Sequence, residues 1–293
     1  MSCIIEVLDK EVISFLSQSN SVISAKENNS NLDKYIREDI LENGKRFEHV
    51  DFTKKEVAYL YIYTYLLMHM GSYERMLEAE EDLFFDKIFR DNVLFVDFGC
   101  GCATSLLAIC SYVNVKRGLP FDTIASLPSD LTYVGKDIND EILESAIVLT
   151  KKMFGSYFKN YQNHNYADAN EKCVIITTDA NNVSYKNIIF NFAYILSQNG
   201  IEDYLESFVE KIIDSVKQYN CNYYLVYQNF YCAKNYNKMI AILERNKLIV
   251  TELKSEKNGF YNYSVIRNLD ILDKDSLRSR YLNYSIARIV KGG

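Results

Sequence analysis

The sequence predicts an α/β fold: a doubly wound, mostly parallel seven-stranded sheet with an antiparallel edge hairpin, preceded by an N-terminal helical region. Three observations carry this. From Val93 onward, short continuous apolar runs alternate with helical periodicities, the pattern of parallel strands buried on both faces. The last two runs flank SEKNGF, residues 255–260, a turn signal that suits a hairpin. Before residue 90 the apolar spacing is helical throughout.

The helical region divides into four helical segments and a polar loop. Ile4–Leu16 is amphipathic, 21–31 is a polar loop, and Asn31–Leu41 suits a short helix. Thr53–Met70 opens on a Thr with a Glu three residues later, a capping-box pattern, and is apolar nearly all round, so a buried helix is expected. Ser72–Phe89 reads as a separate charged amphipathic helix. The expected strands are Leu94–Asp97, Thr132–Asp137, Cys173–Thr177, Asn187–Asn191, Asn222–Gln228, Leu248–Leu253 and Tyr261–Arg267. Helices are expected at Thr104–Val115, Asp140–Phe154, Asp203–Gln218 and Asn235–Asn246. The chain thus divides into residues 1–90, a helical lid or interaction region, and residues 91–293, the sheet domain.

Composition narrows the function classes. In 293 residues, 48% hydrophobic content supplies a core, and a net charge of −6 with pI near 5.3 gives no general pull toward phosphates. A nucleic-acid partner needs a local basic patch. Seven cysteines, an odd number, argue against a secreted disulfide framework. The first residues carry charges and no basic-then-apolar leader, and no run reaches eighteen uncharged apolar residues, so a cytoplasmic protein without a membrane anchor is expected.

Chemistry concentrates in NVLFVDFGCGCATSLLAI, residues 92–109. In a doubly wound sheet the ligand sits beyond the carboxyl ends of the strands. Gly99 and Gly101 permit a tight turn and close backbone approach, and the following helix aims its free N–H groups at the same place. A nicotinamide site wants G-x-G-x-x-G, which puts glycine where this chain has Thr104. Cys100 and Cys102 form C-x-C with no second pair or histidine near them in sequence, so no metal site is expected.

VDFGCGCAT resembles motif I of the class I S-adenosylmethionine-dependent methyltransferases, an acidic residue followed by G-x-G-x-G, with Ala103 in place of the last glycine. TYVGKDINDEILESA resembles the second motif, and TTDANNV the end of the third strand. NFAYILSQ, 191–198, stands at the position of the fourth motif, and the edge hairpin fits a family that ends with an antiparallel strand inserted into the sheet. The resemblance spans residues 93–267. It implies S-adenosylmethionine as cofactor, held by Asp97, Gly99, Cys100 and Gly101 at the first turn. It further implies Asp137 on the ribose hydroxyls with Ile138 beside it, Asp179 and Ala180 at the adenine, and Asn191 near the methionine part. One departure is the segment 114–131, which lengthens the first connection so that Asp137 follows Gly99 by 38 residues.

Each residue has a plainer reading. Asp97 could cap a strand-end turn, and Asp137 could cap the next helix, a job for which Asn139 competes. TDANN is also a generic turn. His69, in an apolar helix, is more often a core residue than a base, and the tyrosines of YLYIYTY are mostly core contacts, though one could stack on a substrate ring.

For the acceptor, Asn191, Tyr194 and Gln228 are the candidate positioning residues. NFAY keeps the ends of the (D/N/S)-P-P-(Y/F/W) motif of DNA amino-methyltransferases but neither proline, so DNA is not expected. The expected acceptor is a small molecule receiving a methyl on N or O. RNA is the alternative, with Lys151, Lys152, Lys159, Arg278, Arg280, Arg288 and Lys291 as scattered cations. A non-catalytic S-adenosylmethionine-binding module is a third reading.

Overall fold

A computed structural model describes residues 55–117, 131–137, 139–154, 173–177, 184–197, 200–229, 233–264 and 277–292. The expected segments 4–16 and 31–41, together with Thr53, lie outside them. The elements are α1 (Lys55–Ala79), β1 (Val93–Phe98), α2 (Thr104–Arg117), β2 (Leu131–Lys136), α3 (Asp140–Phe154), β3 (Val174–Thr177), β4 (Asn187–Ala193), α4 (Leu205–Gln218), β5 (Asn222–Asn229), α5 (Lys234–Arg245), β6 (Leu248–Ser264) and β7 (Leu277–Lys291).

The sheet order is β3-β2-β1-β4-β5-β7-β6. Its first five strands take the doubly wound order, and β7 is inserted between β5 and β6. Strands β2, β1, β4 and β5 are mutually parallel and β7 runs against them. The parallel strands are buried along their whole lengths, as VLFVDF in β1 and LTYVGK in β2 require. Two cores result, one per face. Phe95, Tyr133, Ile189 and Val226 pack with α1, α2 and α3 on one side. Leu94, Val96, Phe190 and Leu225 pack with α4 and α5 on the other. Because α2 and α3 follow β1 and β2 on one face while α4 and α5 follow β4 and β5 on the opposite face, the connections change sides between β1 and β4. That is where a crevice opens.

Three expectations are corrected. Residues 55–79 form one helix, running through Gly71, where two were expected; below it Phe84–Ile88 makes a single π-helical turn. A mid-helix glycine costs about 1 kcal/mol. Burial of Met68, Met70, Tyr73, Met76 and Leu77 on both sides of it offsets that cost. Strand β3 pairs antiparallel with β2, Thr177 opposite Thr132 and Val174 opposite Gly135, so the chain leaves β3 at the end of the sheet away from Gly99. Periodicity reports burial and not direction, and a fully buried VIIT reads the same either way.

The third correction concerns the edge hairpin. It is present, but SEKNGF is not its turn: residues 248–264 are one strand carrying irregularities at Glu252/Lys254 and Glu256/Gly259, and the partner is Leu277–Lys291. Extra residues in one strand bend a ladder without ending it, which lets a Gly-containing polar stretch stay extended.

Candidate functional site

Strand β1 ends at Phe98 and the chain turns through three left-handed residues, Gly99 (φ 67°), Gly101 (φ 54°) and Ala103 (φ 61°), before α2 begins. Ala103 stands where the motif it resembles has its last glycine. The two glycines do different work. A Cβ on Gly99 would meet Ile195 Cδ1 at 2.7 Å, whereas one on Gly101 would meet only Thr104 Oγ1, at 3.7 Å. Gly99 is a packing glycine; Gly101 faces open space.

That space is a cavity of about 530 Å³ at the carboxyl ends of β1, β2 and β4. Asp97, Gly99, Cys100, Gly101, Asp137, Ala193 and Tyr194 line it, with Tyr61, His69 and Tyr73 from α1 on one wall and Ile201, Asp203 and Tyr204 on the other. Among the described residues that line it are three aspartates and no lysine or arginine.

The Asp137 carboxylate holds the loop in shape. It accepts the Gly101 N–H (3.0 Å, Oδ2) and the Asn139 N–H (3.0 Å, Oδ1). The helix-capping task falls to Asn139, whose Oδ1 accepts the Ile142 N–H at 3.0 Å. With that task taken by Asn139, Asp137 lines the cavity.

Asp97 is deeper, 2% exposed. Its carboxylate accepts hydrogen bonds from Asn191 Nδ2 (2.6 Å), Tyr133 Oη (2.8 Å) and the Ser105 hydroxyl. Burial pushes the carboxyl up to about 6, with Asp137 adding to the rise, although the three donors pull the other way. Asn191 in turn accepts from Tyr73 Oη at 3.2 Å. A hydrogen-bonded chain therefore ties α1, β4, β1, β2 and α2 together directly beneath the loop.

The sequence candidates fall into distinct places. Asn191 is fully buried, with both ends of its amide engaged by Asp97 and Tyr73, so it orders the loop from below. Tyr194 lines the cavity in a left-handed conformation (φ 65°), donates its N–H to the Gln228 carbonyl at 2.8 Å and shares a hydrogen bond with the Ser72 hydroxyl. Its ring stacks on His69, centroids 4.1 Å apart and 14° between planes, and Tyr65 and Tyr61 extend the stack along α1. A left-handed non-glycine residue at a ligand pocket marks strain held by its surroundings. Gln228 is fully buried at the end of β5, and neither its amide oxygen nor its nitrogen has a hydrogen-bond partner among the described residues. Ile138, Asp179 and Ala180 lie outside the described residues.

Cys100 and Cys102 are buried, and burial pushes their thiols up, Cys102 to about 12, so neither is a thiolate at neutral pH. They fill space under the turn. His69 is held neutral by burial, lowered to about 3. Sequence reasoning missed Tyr133, Ser105, Tyr73 and Ser72. Ser105 had a signal, since the first turn of the helix after the loop must return toward the strand end. The tyrosines lay hidden among twenty-four.

No family model and no curated protein matches the chain. Solved structures that resemble it include the METTL16 methyltransferase domain (TM-score 0.38, 11% identity, covering 90% of this chain and 94% of that one). Others are the human methyltransferase 10 domain containing protein (TM-score 0.35, 13% identity, 73% and 80% covered) and a proposed RNA methyltransferase from Pyrococcus horikoshii (TM-score 0.36, 11% identity, 75% and 82% covered). At these scores the likeness adds nothing to the architecture and geometry already described.

Proposed function

We propose that this chain is an S-adenosylmethionine-dependent methyltransferase that methylates a nitrogen or oxygen on a flat ring. One observation carries the reading: a left-handed glycine loop, pinned by the Asp137 carboxylate through the Gly101 N–H, opens at the sheet's crossover point into a cavity of about 530 Å³. The residues fit the cofactor. The Asp137 carboxylate lines the cavity as an acceptor suited to ribose hydroxyls, Gly101 leaves room for close approach, and the acidic lining suits a ligand carrying an ammonium and a sulfonium. When bound, that cofactor supplies a methyl group on a positively charged sulfur, which the acceptor's lone pair attacks as the thioether leaves.

The chain's own residues then act by placement. The Asp97–Asn191–Tyr73 chain fixes the loop, and α1 shields the cavity from water. Tyr194 lines the space that the acceptor would enter, with one face of its ring already stacked on His69. Alignment and desolvation of this kind are worth roughly 7–11 kcal/mol without a general base.

The acceptor we infer is a base of RNA. The cavity's aspartates repel phosphate, so a backbone stays outside while one base, drawn from its stack, enters between Tyr194 and the loop. A free small molecule is the second reading, favoured by an acidic lining that holds no lysine or arginine among the described residues.

Calorimetry with S-adenosylhomocysteine tests the core claim. Asp137→Ala should weaken binding by about 1–3 kcal/mol, the cost of removing hydrogen bonds to a charged group. Unchanged affinity removes Asp137 from the site. Methyl transfer from labelled cofactor to unfractionated RNA and to a small-molecule extract separates the two acceptors.

A further inference from the structure

Helix α1 precedes the sheet in sequence, yet it supplies one wall of the cavity. It packs against α2, α3 and β6. Tyr61, His69 and Tyr73 reach the cavity from it at spacings of eight and four residues, which keeps the three side chains on one face of the helix. Two of them have partners that explain their place: Tyr73 donates to Asn191 beneath the loop, and His69 stacks on Tyr194. Tyr61 stands at the other end of this row, toward the glycine loop.

It lines the cavity together with Gly101, Asp137 and Asn139. Burial holds its hydroxyl well above the usual phenol range, and the Asp137 carboxylate and then Cys102 add to the rise. The hydroxyl is therefore protonated at neutral pH, stands within electrostatic reach of Asp137 and of the loop after Gly101, and can donate a hydrogen bond. Gly101 keeps the cavity open at this point, since a Cβ there would meet only Thr104 Oγ1, at 3.7 Å. The Tyr61 ring is also held in place. Its centroid lies 5.1 Å from that of Tyr65, which in turn lies 5.8 Å from His69, so the row of rings limits its rotation before any ligand arrives.

We propose that Tyr61 is a second ribose-holding residue, its hydroxyl donating to an oxygen of the same diol whose hydroxyl protons the Asp137 carboxylate accepts. A ribose hydroxyl that donates to a carboxylate keeps its oxygen lone pairs, and a phenol O–H is the complement they need. A group that only accepts and a group that donates thus use both halves of the hydroxyl's hydrogen-bonding capacity. The inference rests on the proposed methyltransferase reading. It makes α1 part of the cofactor site as well as a cover over the cavity, so the ligand is gripped between the helical region and the sheet's own loop.

Calorimetry on the full chain tests this with S-adenosylhomocysteine and with its 2′-deoxy and 3′-deoxy ribose analogues. Tyr61→Phe removes the hydroxyl and keeps the ring in its row. It should bind S-adenosylhomocysteine roughly three- to tenfold more weakly, the range for one neutral hydrogen bond. One of the two analogues should bind wild type and Tyr61→Phe equally, because it lacks the oxygen that Tyr61 holds. A loss spread evenly over all three ligands would mean that the substitution disturbs the site as a whole, and it overturns the assignment. Wild-type affinity for S-adenosylhomocysteine in Tyr61→Phe also overturns it, and leaves the methyltransferase reading standing. If the wild type binds no S-adenosylhomocysteine, the methyltransferase reading falls and the assignment falls with it.

Discussion

Replacing the two glycines of the loop one at a time should separate folding from cofactor binding. Both sit in the left-handed region, where an alanine costs roughly 1 kcal/mol. At Gly99 a second cost arises, because the added methyl would stand 2.7–2.9 Å from three atoms of Ile195. Ile195 follows the strained Tyr194 and has little freedom to withdraw, and overpacking of this kind costs about 1–3 kcal/mol. Gly99→Ala should therefore lose about 2–4 kcal/mol of stability, a large part of the 5–15 kcal/mol typical of a domain. Gly101→Ala should lose only about 1 kcal/mol, since its methyl meets nothing closer than 3.7 Å. That methyl stands instead in the cavity, where the backbone must approach the ligand. S-adenosylhomocysteine should bind Gly101→Ala at least tenfold more weakly, about 1.4 kcal/mol. Urea unfolding with and without ligand, paired with calorimetry, reads both effects. Equal destabilisation by the two substitutions, or wild-type affinity in Gly101→Ala, would refute the division of labour between them.

Two further outcomes follow from the buried polar groups. Because Asp97 is raised from 3.8 to about 6 on folding, the native state holds its proton more tightly than the unfolded chain. That contribution is fully present below about pH 4 and is lost as pH rises through 6, a swing of about 3 kcal/mol. Asp97→Asn should lack this limb in urea titrations from pH 4 to 7, and an identical limb in the variant would assign it elsewhere. Gln228→Met should stabilise the fold by about 1–3 kcal/mol, because it removes two buried polar atoms without hydrogen-bond partners among the described residues. If Gln228 serves the acceptor, turnover should fall in the same variant, and a destabilised Gln228→Met would show that the amide is satisfied.

What the sequence makes legible is set by what a pattern can encode. The alternation of buried runs and helices placed six of the seven strands, and the glycines with Asp137 marked the loop. Residue spacing does not encode direction, so β3 was expected parallel and is not. It also misled at SEKNGF, where glycine and polar residues signal a turn, yet bulges absorb them. The false turn supplies the sixth strand with a partner, which leaves YLNYSIARIV of β7 without a place in the sequence pattern. At the site, side chains with local roles were readable: Asn139 and Asp137 compete for one cap, and the geometry awards it to Asn139. Residues acting across elements were not readable. Tyr73 meets Asn191 across 118 positions of sequence, and no local pattern foretells that meeting.

The placement of β7 also shapes how the molecule comes into being. Residues 277–291 lie between β5 and β6, so as the ribosome releases the chain, β5 waits with one edge unpaired and β6 has no neighbour to join. The sheet's far half cannot close until almost the last residue of that strand has emerged. Such late, long-range pairing slows folding and leaves strand edges open to wrong partners. During that interval β5 and β6 lack the strand between them, and only the arrival of β7 completes the sheet around Tyr261, which lies beside Tyr194.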